Sequence, residues 1–238
     1  MSRNIVIIGA SGTIGSSLVN IYKKNPDNQV YAFSRGYNYQ RDANLIMDDI
    51  DILDEGSMQK IVMKYFTESS IDILIIATGL LHNEIIFPEK SIREISLKKF
   101  QTVFNINTFA PALIFKHFFN SISRERKSIF AAFSARVGSI SDNKIGGWHS
   151  YRASKSALNM IIKNFSIEIS RKYKNNIIVG LHPGTVDSKL SKPFQKNVPT
   201  EKLFSGEYSA LKIVKVLDSL SIQDTGKCFD FNSLEVFP

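Results

Sequence analysis

The stretch that decides the fold is residues 5–15, Ile-Val-Ile-Ile-Gly-Ala-Ser-Gly-Thr-Ile-Gly. Its four leading apolar residues predict a buried strand, and a helical pattern follows the glycines. Glycines at such a turn let the backbone approach a pyrophosphate closely, while the helix N-terminus supplies amide donors and a positive dipole. We therefore expect a phosphate-binding loop made of Gly9, Ser11, Gly12, Thr13, Ile14 and Gly15. The alternative is an ordinary glycine-rich turn before a helix.

Short apolar runs alternate with longer helical patterns along the chain, which is typical of βαβ units around a parallel sheet. Strands are predicted at residues 4–8, 29–33, 44–47, 72–76, 128–133, 177–181 and 226–230. Helices are predicted at residues 13–24, 55–66, 97–122, 151–174 and 207–219, with a break in the third near Pro111.

The fold class that follows is α/β: a doubly wound, Rossmann-type sheet of seven mostly parallel strands with helices on both faces. Several of the strands are almost continuously apolar, as expected where helices cover both sides of a sheet. A chain of 238 residues that is 43% hydrophobic can bury one large core, so residues 1–238 are predicted to form a single dinucleotide-binding domain. The longest irregular part, residues 187–206, is expected to be a loop on the substrate side.

Composition argues against several other classes of protein. Cys228 is the single cysteine, so an intramolecular disulfide and a thiol metal cluster are excluded. The four histidines lack metal-ligand spacing, and no metal is expected. The apolar run at residues 5–8 is too short for a signal-peptide core or a membrane span, so a cytoplasmic protein without membrane association is expected.

The net charge of +8 raises the question of nucleic-acid binding. The basic clusters at residues 23–24, 124–127 and 171–174 each follow an apolar helical pattern. Cations at the C-terminus of a helix complement its dipole, so these clusters are interpreted as solvated helix ends and no nucleic-acid partner is expected.

The end of the second predicted strand bears on which dinucleotide would bind. An acidic residue there usually bonds the ribose 2′-hydroxyl of NAD. Here the strand ends in Ser34 and Arg35, and a guanidinium pairs well with a 2′-phosphate. We therefore expect NADP(H) in preference to NAD(H). The alternative is that Arg35 only occupies an exposed turn.

Tyr151 and Lys155 open the fourth predicted helix and are four residues apart, which puts their side chains on one face. An ammonium near a phenol stabilises phenolate, so the pKa of Tyr151 is expected to fall from about 10 towards neutrality. Such a tyrosine suits general acid/base catalysis. The same spacing also occurs by chance in many helices.

Together these motifs resemble those of the short-chain dehydrogenase/reductase family over the whole chain, most closely its C-factor-like, carbonyl-reductase-like branch. The matching stretches are residues 9–15, residues 77–79, Asn107, Ser134 with residues 136–140, residues 151–155 and residues 182–186. Because several motifs occur in family order and at family spacing, the match is specific.

The resemblance implies a role for individual positions. Tyr151 would exchange a proton with the substrate oxygen, Lys155 would tune it and hold the nicotinamide ribose, and Asn107 would anchor a water that relays protons. Further cofactor contacts are implied for Asp51 and Ile52 at the adenine ring, for Ala77, Thr78 and Gly79 after the fourth predicted strand, and for Pro183, Gly184 and Val186 beside the nicotinamide.

The chain departs from the family pattern at three places. Residues 76–79 are Ile-Ala-Thr-Gly where Asn-Asn-Ala-Gly is usual, and Thr13 stands where the second loop glycine is commonest. The catalytic serine of the family falls on Ala135 and not on Ser134. Neighbouring strand residues point to opposite faces, but a shift at the strand end would restore the serine, so Ser134 is our choice. Ser139 is a second candidate, and the alternative is that no serine of this segment acts.

The predicted activity is reversible hydride transfer between NADP(H) and a small-molecule carbonyl or secondary alcohol, in a homodimer or homotetramer. A nucleotide-binding signalling or sensor protein of the same fold, with little turnover, is the alternative that Ala135 supports. An epimerase or dehydratase is suggested only by the glycine spacing, and the short region after Val186 argues against it.

Overall fold

A continuous eight-stranded sheet forms the centre of the computed structural model, which describes residues 3–238. The strands are β1 (Arg3–Ile8), β2 (Asn28–Phe33), β3 (Gln40–Asp42), β4 (Leu45–Asp48), β5 (Ile73–Ile76), β6 (Ser128–Phe133), β7 (Asn176–His182) and β10 (Cys228–Asp230). Their spatial order is β10-β7-β6-β5-β1-β2-β4-β3. Two short strands outside this sheet, β8 (Thr185–Val186) and β9 (Leu203–Phe204), pair with each other.

Helices cover both faces of the sheet, as predicted. They are α1 (Thr13–Tyr22), α2 (Glu55–Tyr65), α3 (Leu97–Phe104), α4 (Ala110–Phe118), α5 (His149–Lys172) and α6 (Gly206–Ser219). Apolar residues of α1 and α6 pack on one face, and those of α2, α4 and α5 pack on the other. The strands alternate their side chains between these two layers, which is why they are apolar throughout.

The sheet is parallel except at one edge, where the prediction of seven strands was one short. The additional strand β3 runs antiparallel to β4, and its three residues are polar and exposed. A short polar edge strand carries no apolar periodicity, so the sequence pattern does not reveal it. The doubly wound α/β class itself is confirmed.

The third predicted helix is interrupted where a break was expected. Helix α3 continues into a π-helical turn at Asn105–Phe109, and α4 follows with Pro111 in its first turn. Proline has no amide hydrogen to donate and its ring crowds the preceding turn, so the regular α-helical bonding is interrupted just before it. Turns of the π type are often found at functional sites.

The order of the strands reverses between β1 and β5, whose neighbours lie on opposite sides. Ligands of open α/β sheets bind at such a switch point, outside the carboxyl ends of the strands. The glycine loop of residues 9–15 and the residues after β5 meet at this place. Gly9 has a φ of +87°, and a Cβ atom added to it would lie 2.8 Å from Thr78 Cγ2 and 3.0 Å from the carbonyl carbon of Ala77.

This close approach predicts that alanine at Gly9 destabilises the protein more than alanine at Gly36. Gly36 also has a positive φ, +77°, but no described atom lies within 4 Å of a Cβ placed on it. Left-handed backbone costs a residue with a side chain about 1–2 kcal/mol. Crowding adds about 1–3 kcal/mol. Gly9→Ala should therefore reduce the free energy of unfolding by about 2–5 kcal/mol and Gly36→Ala by about 1–2 kcal/mol, measured by urea unfolding. Equal losses would contradict the close approach.

Candidate active site

The glycine loop begins where β1 ends and leads directly into α1. The amides of Gly9 and Ala10 both donate to the carbonyl of Phe33 at the end of β2, at 2.9 and 3.1 Å. Gly15 packs against the loop itself, because a Cβ on it would lie 2.2 Å from the carbonyl oxygen of Gly9. Helix α1 therefore starts as close to the strand as the backbone permits. The amides of its first turn, including those of Thr13 and Ile14, face outward from the helix start.

Two hydroxyls extend the loop towards the second strand. Ser11 Oγ and Ser34 Oγ lie 2.5 Å apart, and Arg35 next to them is exposed. The glycine loop and the end of β2 are thus brought together. A loop amide set, two hydroxyls and a free guanidinium form a group that can bind anionic oxygens.

The residues expected near an adenine ring follow β4. Asp51 accepts a bond from the amide of Leu53 at 2.9 Å, and its own amide donates to Ser57 Oγ at 3.0 Å. Ile52 is half-buried against the core layer below. Both residues lie beyond the carboxyl end of their strand, on the edge where the glycine loop lies.

The residues after β5 form the floor between the glycine loop and the helix that carries the tyrosine. Ala77 donates its amide to the carbonyl of Ile8 at 2.8 Å. Gly79 is exposed, and a Cβ on it would lie 3.8 Å from Lys155 Nζ. Among the described residues, the hydroxyl of Thr78 is buried and has no hydrogen-bond partner. The Thr78 hydroxyl, which lies beside the glycine loop, is therefore a polar group without a partner among the described residues.

Tyr151 and Lys155 lie on the inner face of α5, both almost wholly buried at 8% and 2% exposed. The ammonium of Lys155 donates to the carbonyl of Phe133 at 2.7 Å and lies 5.8 Å from the centre of the Tyr151 ring. The pair is therefore brought together, with the ammonium anchored to the end of β6.

The expected fall of the tyrosine pKa does not occur in the protein alone. Burial raises the pKa of Tyr151 to about 12, because the phenolate would lose its solvation. Burial also lowers the pKa of Lys155 to about 8. The lysine remains charged below about pH 8, while the tyrosine keeps its proton far above that pH.

Asn107 lies in the π-helical turn, and its side chain is fully occupied. Its Oδ1 accepts the amide of Leu80 at 2.7 Å, and its Nδ2 donates to the carbonyl of Leu80 at 2.8 Å and to Ser154 Oγ at 3.1 Å. The side chain thus links the residues after β5 to α5. It therefore connects these two parts of the site by hydrogen bonds.

The side chain of Ser134, our choice between Ser134 and Ala135, is hydrogen-bonded to α5. Its hydroxyl donates to Asn159 Oδ1 at 2.6 Å, two turns along α5 from Tyr151. The amide of Ser134 still pairs with the carbonyl of Leu181, so the strand register continues without a bulge. Ala135 packs in the apolar cluster with Tyr151. Ser139, the second candidate, bonds the amide of Asp142.

The segment after β7 closes the site from the other side. The carbonyl of Pro183 accepts a bond from Ser209 at 2.7 Å, and Val186 is buried. Gly184 has a φ of +80°, and a Cβ on it would lie 2.7 Å from the ring of Phe204. The pairing of β8 with β9 holds this turn in place.

Apolar side chains surround Tyr151, and several come from regions that the sequence did not single out. Trp148 lies edge-on to Tyr151 with ring centres 6.2 Å apart, and Phe194 lies 5.0 Å from Trp148. Trp148 therefore packs between Tyr151 and the 187–206 loop. Phe194 belongs to the 187–206 loop, where nothing in the local pattern marks it as part of a site.

A cleft of about 510 Å³ opens beside Gly79. It lies between the residues after β5 and the 187–206 loop, and its walls are Gly79, His82, Asn83, Glu84, Phe87, Lys189, Leu190 and Pro193. His82 closes one side through a bond to the carbonyl of Lys189 at 3.0 Å. Lys189, Leu190 and Pro193 of the 187–206 loop therefore form one wall of this cleft.

Two further observations concern metal binding and membrane-spanning helices. Within residues 3–238 there is no group of three or more histidine, cysteine, aspartate or glutamate residues placed to bind a metal ion. Over the same residues, each helix is too short or too polar to cross a membrane.

Comparison with known proteins gives the family. A family model for short chain dehydrogenases matches residues 3–199, and the chain therefore belongs to the short-chain dehydrogenase family and is an oxidoreductase by that membership. C-signal of Myxococcus xanthus is 28% identical over 133 residues, which are 56% of this chain and 75% of that protein. The expected C-factor-like, carbonyl-reductase-like resemblance is confirmed.

Two other proteins illustrate the range of the match. The 1-hydroxy-2-glutathionyl-2-methyl-3-butene dehydrogenase of Rhodococcus sp. (strain AD45) is 37% identical over 95 residues, only 40% of this chain and 39% of that protein. The NADPH-bound carbonyl reductase from chicken fatty liver superimposes with a TM-score of 0.86 at 23% identity, covering 100% of this chain and 99% of that one. The latter likeness concerns the fold.

The position of Ser134 predicts that removing its hydroxyl changes the stability of the protein more than its turnover. Ser134→Ala deletes the bond to Asn159 and should lower the free energy of unfolding by about 1–2 kcal/mol. Because the hydroxyl is engaged with Asn159, any turnover should stay within about a factor of two, whereas loss of a catalytic hydrogen-bond donor costs about 10²-fold or more. Urea unfolding and steady-state rates check this, and a hundredfold loss of turnover would restore Ser134 as the catalytic serine.

Proposed function

We propose that this chain is an NADP(H)-dependent oxidoreductase that transfers a hydride between the nicotinamide and a carbonyl or secondary alcohol, with Tyr151 as general acid/base. The observation that carries the proposal is the buried Tyr151–Lys155 pair, held at the sheet edge where the glycine loop also lies. The carbonyl reductase from chicken and the Burkholderia multivorans protein of this fold are described as NADPH- and NADP-bound, which supports the cofactor.

The residues present fit a dinucleotide. Gly9 and Gly15 leave no room for a Cβ atom, so the loop packs tightly against the residues after β5 and against itself, and the first-turn amides of α1 border it. When bound, the nicotinamide would supply or accept the hydride. The residues proposed to hold the cofactor are Gly9, Ser11, Gly12, Thr13, Ile14, Gly15, Ser34, Arg35, Asp51, Ile52, Ala77, Thr78, Gly79, Tyr151, Lys155, Pro183, Gly184 and Val186.

The preference for a 2′-phosphate is supported by Arg35 and the paired hydroxyls of Ser11 and Ser34. Arg35 is exposed, and it takes part in none of the salt bridges between described residues. The carboxylate of Asp49 accepts the amide of Gly36, the residue next to Arg35, at 2.5 Å. A cation and two hydroxyls suit a phosphate better than a ribose hydroxyl.

The protonation states of the pair fit carbonyl reduction. At neutral pH Tyr151 is a neutral phenol able to give its proton to a substrate oxygen, and Lys155 is an ammonium that stabilises the phenolate left behind. In the reverse direction the phenolate takes the proton back from an alcohol. Asn107 is proposed to serve this exchange by holding the π-helical turn and α5 together, with a relaying water as the expectation from the family.

The substrate would meet an apolar surface around a single hydroxyl. Ala135 occupies the position of the family serine, so Tyr151 is the hydroxyl that can polarise the substrate oxygen within this cluster. Leu190 and Phe194 line the same cluster from the 187–206 loop. The proposed substrate is therefore a small carbonyl compound whose oxygen is activated mainly by the tyrosine.

A signalling or sensor protein of the same fold is the second candidate, and Ala135 is the observation in its favour. A site with one donor fewer would retain nucleotide binding and lose much of its turnover. The intact Tyr151–Lys155 pair favours the enzyme. We propose in addition a single domain over residues 1–238, a homodimer or homotetramer, a cytoplasmic location and no nucleic-acid partner.

The role of Tyr151 predicts a loss of rate without a loss of fold. Tyr151→Phe keeps the ring that packs on Trp148 and removes only the hydroxyl, so NADPH affinity and the unfolding midpoint should stay near wild type while turnover falls by about 10²–10⁴-fold. A panel of carbonyl compounds with NADPH oxidation as the signal provides the assay. Wild-type turnover in Tyr151→Phe would favour the sensor.

The role of Arg35 predicts a change in cofactor selectivity. Arg35→Ala should weaken NADPH binding by about 1–3 kcal/mol, the value of a charge-assisted bond, and leave NADH binding unchanged. Arg171→Ala is the matched control, because it removes the same charge at the far end of α5. Titration of both cofactors measures the effect. Equal affinity of the native protein for NADPH and NADH would contradict the preference.

The pKa of Lys155 predicts the pH dependence of reduction. The ammonium is present below about pH 8 and is lost above it, so the reduction rate should fall as pH rises through about 8. Lys155→Met should have a lower rate at pH 7 and no fall near pH 8, whereas Lys163→Met, on the exposed face of α5, should keep the wild-type profile. Persistence of the fall in Lys155→Met would assign it to another group.

A further inference from the structure

Glu89 is a fully buried carboxylate in the loop between β5 and α3, with 0% of its side chain exposed. Its Oε2 accepts two hydrogen bonds from Ser150, from the amide at 3.1 Å and from Oγ at 3.0 Å. Its backbone carbonyl accepts the amide of Trp148 at 2.5 Å. Glu89 therefore binds two residues at the start of α5, Trp148 and Ser150.

The start of α5 needs such support because of its backbone. Gly146, Gly147 and Trp148 all have positive φ, at 69°, 64° and 50°. A tryptophan in left-handed backbone is strained, and such strain persists only where the surroundings hold it. Trp148 occupies the N-cap position, and within the described chain its side chain makes no capping hydrogen bond.

Among the described residues, helix α5 has no side-chain cap of its own, and Glu89 acts as its cap from another part of the chain. A first-turn amide has no acceptor within its own helix, and an anionic acceptor there is also favoured by the helix dipole. Residues 149–152 are His-Ser-Tyr-Arg and contain no acid that could take this part. The amide and hydroxyl of Ser150 thus depend on the carboxylate of Glu89.

Tyr151 is the next residue after Ser150, and its ring lies edge-on to Trp148. The two residues that Glu89 contacts therefore both precede the tyrosine within three positions, and Trp148 also packs against its ring. A displacement of about 1 Å at a reacting group can cost about 10²-fold in rate. Any shift of the first turn of α5 would move the phenol hydroxyl relative to Lys155 and the cleft.

We propose that Glu89 is a positioning residue for Tyr151, which fixes the strained start of α5 and thereby the place of the phenol. The proposal rests on the proposed function of Tyr151 as general acid/base. The second carboxylate oxygen, Oε1, is buried and has no hydrogen-bond partner among the described residues. Burying an unsatisfied polar atom lowers the stability of the fold. The role of Glu89 is therefore to set the position of the start of α5.

The test compares Glu89→Ala with Glu89→Gln, and Glu94→Ala is the matched control. Glutamine keeps an oxygen that can accept from Ser150, and Glu94 accepts a backbone amide, that of Lys90, at an exposed place in the same region. At a temperature where every variant is folded, Glu89→Ala should lower kcat by about 10–100-fold, with KM and the NADPH Kd within about threefold of wild type. Glu89→Gln should restore kcat to within about threefold, and Glu94→Ala should match wild type.

Trp148 gives a second readout that needs no turnover, because it is the single tryptophan of the chain. Its fluorescence spectrum should change in Glu89→Ala and stay as in wild type in Glu89→Gln and Glu94→Ala. Ser150→Ala removes one partner of the carboxylate, and kcat of the Glu89→Ala/Ser150→Ala double variant should equal that of Glu89→Ala, since the two residues act through one contact.

Folded Glu89→Ala with wild-type kcat would overturn the proposal, as would a kcat loss that glutamine does not restore. If Glu89→Ala does not fold, Ser150→Ala replaces it with a smaller expected loss of kcat, because the amide of Ser150 keeps its bond to Oε2, and a wild-type kcat there would overturn the proposal. The failure of the proposed function has a separate signature: Tyr151→Phe would then be active. Inactive Tyr151→Phe beside fully active Glu89→Ala would leave the proposed function standing and remove Glu89 from it.

Discussion

The bond between the buried Lys155 ammonium and the carbonyl of Phe133, 2.7 Å long, sets the geometry on which the site depends. A charge so deeply buried is tolerated only where an acceptor meets it, so the helix cannot slide or rotate without losing that acceptor. Gly138 packs against the same lysine, with the site of its missing Cβ 2.8 Å from Lys155 Cβ. The depth of α5 against the sheet is thereby fixed from two sides.

Much of the fold was predictable because its elements are encoded locally. Strand β1 was predicted at residues 4–8 and is found at Arg3–Ile8, and β6 was predicted with its observed bounds, since buried parallel strands are short, apolar and bounded by polar residues. Strand β3 escaped prediction because pairing with β4, and not its own composition, makes it a strand. The π-helical turn likewise leaves no distinct pattern in the sequence.

The site was predictable only in part, and the reason differs between residues. The spacing of Tyr151 and Lys155 follows from helix geometry, so it could be read from the chain. The pKa of Tyr151 could not, because it depends on the apolar residues that bury the ring, which come from distant segments. The direction of the Ser134 side chain depends on strand register at the end of β6. Glu89 is a single acid in a loop, and only the folded chain brings it to α5.

The short pairing of β8 with β9 has a consequence for how such a chain diversifies. The amide of Asp187 bonds the carbonyl of Phe204 at 2.8 Å, so the segment 187–202 leaves and re-enters the body of the protein at one point. Insertions and substitutions in a segment tied at its base add little entropy cost and leave the sheet register untouched. The wall of the cleft can therefore acquire a new shape through mutation while the tyrosine, the lysine and the glycine loop are inherited unchanged.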